Sequence, residues 1–325
     1  MKCRVAASAV AICLSIVAAW QTAAHDTSGK PVVGILSVRS ELGQRFTPFR
    51  LGLHELGYDI GRNLEIESRF AGGEALLPTL AAQLVRLNVA VLLTVGEPAT
   101  RAARQATTTT PIVFVGVSDP VATELVTSLT QPVGNVTGVA IPGHELGAKR
   151  LELLKEALPK VSQVAVLRHP GDPATRSLWS GIRDAGRVLG LKVEAFDVRA
   201  PAELEPAVLE MSRWGADALV VLPNVMFQAQ RATIADLAVK HRLATTLSFA
   251  DEVEAGGLMV YRASDHDLFR RAARLTERIL RGASPDQLPV ERATVFDLVI
   301  NLKTAEALGV SIPPALLRRA DGLIQ

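Results

Sequence analysis

Cysteine is nearly absent from this chain of 325 residues. There are two, Cys3 and Cys13, and both lie in an N-terminal stretch with the features of a secretory leader. Lys2 and Arg4 form its basic start, Val5 to Ala19 is apolar and small, and Thr22-Ala23-Ala24 offers small residues for cleavage before His25. Cleavage there removes residues 1–24 and leaves a mature chain without a thiol. Disulfides, thiolate metal sites and a cysteine nucleophile are then excluded. The alternative is an uncleaved anchor, but the apolar run is short for a span of about 20 residues. Lipidation at Cys13 is disfavoured by bulky Ile12 before it and by its place midway through that run. No other stretch is long and apolar enough to cross a bilayer. The mature protein is expected to be soluble in the periplasm.

Aromatic residues are also scarce, at 4 %, so a ligand would find few stacking partners. Charge of one sign is lacking: the formal net charge is +2, and loss of Lys2 and Arg4 with the leader cancels it. Lys and Arg are scattered rather than clustered, which argues against a nucleic-acid surface. Catalytic signatures are missing as well. There is no G-x-x-x-x-G-K-S/T and no G-x-G-x-x-G after a strand. His54-Glu55 and His144-Glu145 lack the second His of a zinc-protease helix. Gly116-Val117-Ser118-Asp119-Pro120 has proline where a nucleophile elbow has its second glycine. An enzyme, a metal site and a cofactor are therefore not expected.

What is present is organised around Pro111 to Pro142. Ile112 to Val115 reads as a buried strand, rich in β-branched residues. Gly116 to Pro120 is a polar turn, with Asp119 biased away from the α region by Pro120. A helical segment is expected from Val121, and Gly134 to Gly138 leads into another apolar run. Turns at the carboxyl ends of strands are where open α/β sheets bind ligands.

Before this stretch the pattern runs strand, loop, helix. Val32 to Ser37, Leu64 to Phe70 and Val89 to Val95 read as strands. Helices are expected over about 48–56, 76–87 and 98–106, the first stopped by Gly57. After it the order repeats. Strands are expected at Val164–Leu167, Lys192–Val198, Ala218–Leu222 and Thr245–Phe249, with helices between them. The fold class implied is α/β: two doubly wound, mainly parallel-sheet lobes with their loop sets facing one cleft. Gly256-Gly257 permits a change of direction, Asp267 to Leu280 reads as an amphipathic helix, and Val295 to Leu308 as another. The expected lobes are 31–141 plus 256–284, and 142–255 plus 285–325, joined by a three-strand hinge.

Several stretches resemble one family. They are Gly116-Val117-Ser118-Asp119-Pro120, Gly134-Asn135-Val136-Thr137-Gly138, Glu254-Ala255-Gly256-Gly257-Leu258-Met259-Val260-Tyr261, Leu288-Pro289-Val290-Glu291 and Ile300-Asn301-Leu302-Lys303-Thr304-Ala305. Together they are similar to the ABC-transporter substrate-binding proteins, the family that includes the tryptophan-binding TrpX-like proteins. The resemblance covers about Pro31 to Ile324. It implies a type 1 periplasmic-binding fold, delivery of a small solute to an inner-membrane ABC permease, and often an amino acid or aromatic solute. A monomer is expected, with no nucleic-acid partner.

Carried over by position, the resemblance places cleft loops at Ser37 to Glu41, Thr94 to Ala99 (with Gly96, Glu97 and Pro98), Ser118 to Pro120, His169 to Asp172, Pro223-Asn224 and Ala250-Asp251, and adds Tyr261. Asp119 is either a ligand contact or a turn residue. Ser118 is a hydroxyl for a ligand carboxylate, a helix N-cap, or both. Asn224 and Asp251 are either second-lobe contacts or ordinary loop polarity. Tyr261 either stacks on a ligand or packs at the hinge edge. Glu97 departs from the family, which commonly has a small hydroxyl residue after the glycine. It either pairs with a ligand ammonium or points to solvent. Two other functions share the fold pattern: an exported α/β hydrolase, and a ligand-sensing subunit of a signalling system. A cytoplasmic repressor is disfavoured, because the leader stands where a DNA-binding helix pair would.

Overall fold

The computed structural model describes residues 29–325 except 40, 42, 173 and 174. The expected leader lies outside the described residues. The first lobe opens with β1 (Val32–Ser37), α1 (Thr47–Glu55), β2 (Glu65–Phe70), α2 (Leu77–Arg86), β3 (Val91–Val95), α3 (Glu97–Ala106), β4 (Ile112–Val117) and β5 (Val136–Ala140). The chain continues through α4 (Gly143–Ala157), β6 (Gln163–Arg168), α5 (Arg176–Val188), β7 (Lys192–Asp197), α6 (Leu204–Trp214), β8 (Ala218–Val221), α7 (Val225–Ala229), α8 (Arg231–Lys240), β9 (Ala244–Leu247) and α9 (Ala250–Glu254). It ends with β10 (Met259–Ala263), α10 (Asp265–Leu280), β11 (Glu291–Arg292), β12 (Phe296–Asn301), α11 (Leu302–Leu308), α12 (Pro314–Leu317) and β13 (Gly322–Ile324).

Two sheets result. One has the order β11-β5-β4-β3-β1-β2, the other β13-β12-β10-β9-β8-β6-β7. All pairings are parallel except β10 with β12. Both sheets are covered on both faces, which is why inner strands such as Ala218–Val221 carry apolar residues on each face. In the first lobe Val33, Ile35, Leu93 and Val113 pack on Phe49 of α1 and Phe269 of α10. Leu36, Leu92, Ile112 and Phe114 pack on the other side, against Leu84 of α2 and Ala99 of α3. In the second, Val164, Val166 and Val220 meet Leu151 of α4 and Ile182 of α5. Ala165, Leu167 and Val221 meet Val208 of α6 and Ile234 of α8.

Three expectations are corrected. No helix follows Asp119. Its carboxylate accepts from Ala122 N–H at 3.2 Å, and the N–H groups of Leu125 and Val126 both return to the Pro120 carbonyl. A helix would send them to carbonyls four residues back instead, and Glu124 sits at φ +58°. The stretch Val295 to Leu308 is not one helix but β12 followed by α11, with the Asn301 carboxamide accepting from Thr304 N–H as the N-cap.

The third concerns the lobe boundaries. The chain does not return to the first lobe at Gly256. Met259 and Val260 pair with Thr246 and Leu247 of β9, so β10 belongs to the second sheet. Gly257 serves that packing rather than a crossing, since a Cβ there would stand 1.8 Å from the Leu247 side chain. The return comes at Ser264. The first lobe then keeps the chain through β11, which pairs with β5. The last crossing follows at Thr294-Val295, beside Ser264, whose N–H donates to the Val295 carbonyl at 2.9 Å. With Ile141-Pro142, three segments still join the lobes.

Candidate functional site

The parallel strands of both sheets end toward a common cleft. It holds an inner cavity of about 200 Å³ and an outer one of about 460 Å³. Glu74, Glu97, Pro98, Asp172, Asn224 and Val225 line both and form the neck between them. The inner walls are largely apolar, with Val95 and Val115 from the first sheet and Leu146, Leu178 and Phe249 from the second lobe.

Of the residues singled out in the sequence, Gly96, Glu97, Pro98, Ser118 and Asn224 line the inner cavity, and His169 lines the outer one. Gly96 adopts φ +82°, a conformation open to glycine, and its carbonyl accepts from the Thr100 hydroxyl at 2.8 Å. Glu97 opens α3 and is 5 % exposed, ion-paired with Arg101 one helical turn on. It therefore does not point to open solvent. Asn224 caps α7, accepting from Met226 N–H, and donates to Asp172 at 3.3 Å.

Other residues stand behind the wall or away from it. Ser37 is buried, and its Oγ accepts from Arg39 N–H at 3.2 Å. The Thr94 hydroxyl meets that of Thr100 at 2.9 Å, and Ala99 is in the core. Asp119 holds the turn that follows Ser118, with Pro120 buried beside it. Glu41 is exposed. Tyr261 stacks on Phe296 with ring centroids 5.5 Å apart, in the second-lobe core rather than on the cavity wall.

Sequence reading did not single out the arginines. Arg39, Arg45, Arg150 and Arg262 all line the inner cavity. Arg39 lay inside the expected first loop, and a basic residue just past a strand end was its only signal. Its guanidinium reaches across the cleft to Asp251 at 3.1 Å and lies over the Phe249 ring, 5.8 Å from the centroid. Asp251 also accepts from Gln228 at 3.1 Å. The Arg39 Nη1 is buried and has no hydrogen-bond partner among the described residues. Arg45 forks onto Asp265 with two bonds of 2.7 Å. Arg262 contacts the same carboxylate at 2.5 Å and Asp297 at 3.5 Å.

Beneath the Phe249 loop lies Glu252, 3 % exposed, whose carboxylate accepts from the Ser248 and Phe249 N–H groups at 2.8 Å each. Burial pushes its pKa from 4.5 up to about 7, against those hydrogen bonds and the Arg150 charge. A folded-state pKa raised above the unfolded value means the native protein holds a proton the unfolded chain gives up. This contribution is full below about pH 4.5 and is lost as pH rises through 7. Glu252→Gln keeps an acceptor for both N–H groups and removes the titration. Between pH 5 and pH 8 the stability of wild type should fall relative to the variant by roughly 2–3 kcal/mol in urea unfolding. Parallel pH profiles of the two proteins would contradict this.

Among the described residues no group of His, Cys, Asp and Glu is placed to hold a metal ion, and no helix is long and apolar enough to cross a membrane. Two lobes, parallel sheets and a shared cleft at their strand ends define a periplasmic-binding architecture of type 1. A LacI-family regulator from Corynebacterium glutamicum shares this fold, with a TM-score of 0.56 at 17 % identity over 83 % of this chain and 97 % of that one. The chain belongs to the ABC transporter substrate binding protein family, whose profile matches residues 32–324. It is similar to a protein from Streptococcus pneumonia solved in complex with L-Trp: 26 % identity, TM-score 0.84, covering 91 % of this chain and 100 % of that one. It is also 25 % identical over 263 residues to a tyrosine-binding protein of Clostridioides difficile (strain R20291), covering 80 % of this chain and 75 % of that one. The family is one of solute-binding proteins that work with ABC permeases, not of enzymes.

Proposed function

We propose that this protein captures an amino-acid-like solute between its lobes, outside the inner membrane, and hands it to an ABC importer. The observation that carries this reading is one cavity lined from both lobes, apolar in its walls and bearing charges of both signs. A free amino acid needs the same three features: a cation for its carboxylate, a carboxylate for its ammonium and a dry surface for its side chain. The arginines of the inner cavity supply the first. Glu97, with Glu74 and Asp172 at the neck, supplies the second. The relatives named for tyrosine binding and solved with L-Trp support an amino acid over other zwitterions.

In this reading Ser118, Gly96 and Asn224 contact the ligand directly, and Asp119 acts by holding the turn that presents Ser118. Arg39 and Asp251 bind the lobes to each other across the closed cleft. A thermal-shift screen of the twenty amino acids tests the proposal. A specific ligand at about 100 times its dissociation constant should add roughly 2.7 kcal/mol of stability. Mass spectrometry of the released ligand should recover it unchanged. A screen without a stabilising amino acid, or a ligand recovered as a product, would overturn it.

A further inference from the structure

Among the cavity-lining cations Arg150 is unlike the rest. Arg39 is paired with Asp251, and Arg45 and Arg262 share Asp265. Arg150 is 3 % exposed and makes no salt bridge among the described residues. It projects from α4 of the second lobe. Its Nε donates to the Tyr261 carbonyl at 2.8 Å and its Nη1 to the Ser248 hydroxyl at 3.1 Å. That hydroxyl spends its own proton on the Val221 carbonyl at 2.9 Å, so its orientation is fixed. Nη2 makes no hydrogen bond in the described protein, and the side chain lines the inner cavity. A buried guanidinium without an anion is strongly unfavourable, and the penalty ends when an anion arrives.

We infer that Arg150 is the anchor for the carboxylate of the bound solute, received on Nη2 at the floor of the second lobe. The inference rests on the proposed function and adds to it the residue that reads the acid group. Three features support it. Two neutral acceptors hold the guanidinium in place, so its free edge is pre-organised. The other groups facing it from the packed elements are the carbonyl of Tyr261, the hydroxyl of Ser248 and, through space, the charge of Glu252. Glu252 turns its carboxylate to backbone N–H groups instead. Burial brings the Arg150 pKa down to about 10, which leaves it protonated at neutral pH. It follows that solutes lacking an anionic group are poor ligands even when their apolar parts fit.

Isothermal titration with L-tyrosine, L-tryptophan and any other amino acid found in the thermal screen, each beside its α-carboxamide, tests this. The wild-type protein should bind each acid about a hundredfold or more tightly than its amide. Arg150→Met should lose a similar factor for the acid and leave the amide nearly unchanged, so that acid and amide become alike. Arg150→Lys keeps the charge without the fork and should recover part of the preference. Circular dichroism and Tm of each variant establish folding, and the wild-type amide comparison needs no substitution at all. An acid-to-amide ratio near one in wild type, or one unchanged in a folded Arg150→Met, overturns the role of Arg150 while leaving amino-acid binding intact. If wild type binds no amino acid, the functional proposal itself fails and the anchor falls with it.

Discussion

Asp265→Asn will destabilise the folded protein by about 3–5 kcal/mol, the usual result of removing one partner from a buried ionic cluster. Asp265 is 8 % exposed and stands in the first turn of α10, immediately after the chain crosses at Ser264. Its two oxygens accept from Arg45 Nε and Nη2 at 2.7 Å each and from Arg262 Nη1 at 2.5 Å. Arg262 lies on β10, before the crossing, and Arg45 in the first lobe, so one carboxylate ties both sides of the hinge. Asparagine offers one acceptor oxygen and turns an NH₂ toward a guanidinium. Two arginines are then left beside one another at the cavity wall.

The pH dependence follows from the same carboxylate. Burial alone would raise the pKa of Asp265, but the hydrogen bonds and charges of Arg45 and Arg262 outweigh it, and the net shift is downward. A lowered folded-state pKa gives stability that is present above the ordinary value of 3.8 and lost as pH falls through the folded value. Urea unfolding at pH 7 and pH 3 should therefore show the gap between wild type and Asp265→Asn narrowing at the lower pH. A gap under about 1 kcal/mol at pH 7 would mean that solvent screens the cluster as it does an exposed pair.

The second large effect is expected at the α4–α5 crossing. A Cβ at Gly181 of α5 would stand 1.9 Å from the backbone carbonyl oxygen of His144, and one at Gly147 of α4 would stand 2.2 Å from that of Leu178. The obstacles are backbone atoms of the facing helix, which cannot rotate aside. Alanine gains about 1 kcal/mol over glycine in helix propensity. The overlap must exceed that, because the helices have to separate and open the packing of Leu151, Leu154 and Ile182. Gly181→Ala should lower the unfolding free energy by at least about 3 kcal/mol net. The double variant with Gly147→Ala should fall short of the sum of the two, since one separation relieves both clashes. A neutral or stabilised Gly181→Ala would mean that the helices slide freely. The effect reaches the site, because α4 carries Leu146 and Arg150 to the cavity and α5 carries Leu178.

Much of the architecture was legible in the chain. Strands such as Val91–Val95 (Thr94 apart) and Ala218–Val221 are apolar on both faces because both sheet faces are covered, and short β-branched runs between helix-period segments read as such. The neck of the cleft was legible for the same reason. Glu97, Pro98 and Asn224 each lie within three residues of a readable strand's end. Failures came where a local pattern was ambiguous. Phe296-Asp297-Leu298-Val299-Ile300 satisfies a helix or a strand, and its pairing with Met259–Ala263 decided the matter. The turns after Asp119 were misread because the competing N–H acceptors, above all the Pro120 carbonyl, leave no mark on periodicity.

The sequence by itself determined most of the order of strands and helices and the doubling of the α/β half. These follow from burial period and chain order, which are local properties. The tertiary structure alone decided which lobe owns Met259–Ala263 and which charges face the cavity. Arg150 lies between Lys149 and Glu152 in a helix whose charged residues read alike, and only it is buried, covered by β10 and the Ser248 loop. A charge is buried by what packs over it from elsewhere in the chain, and no window of neighbouring residues contains that information.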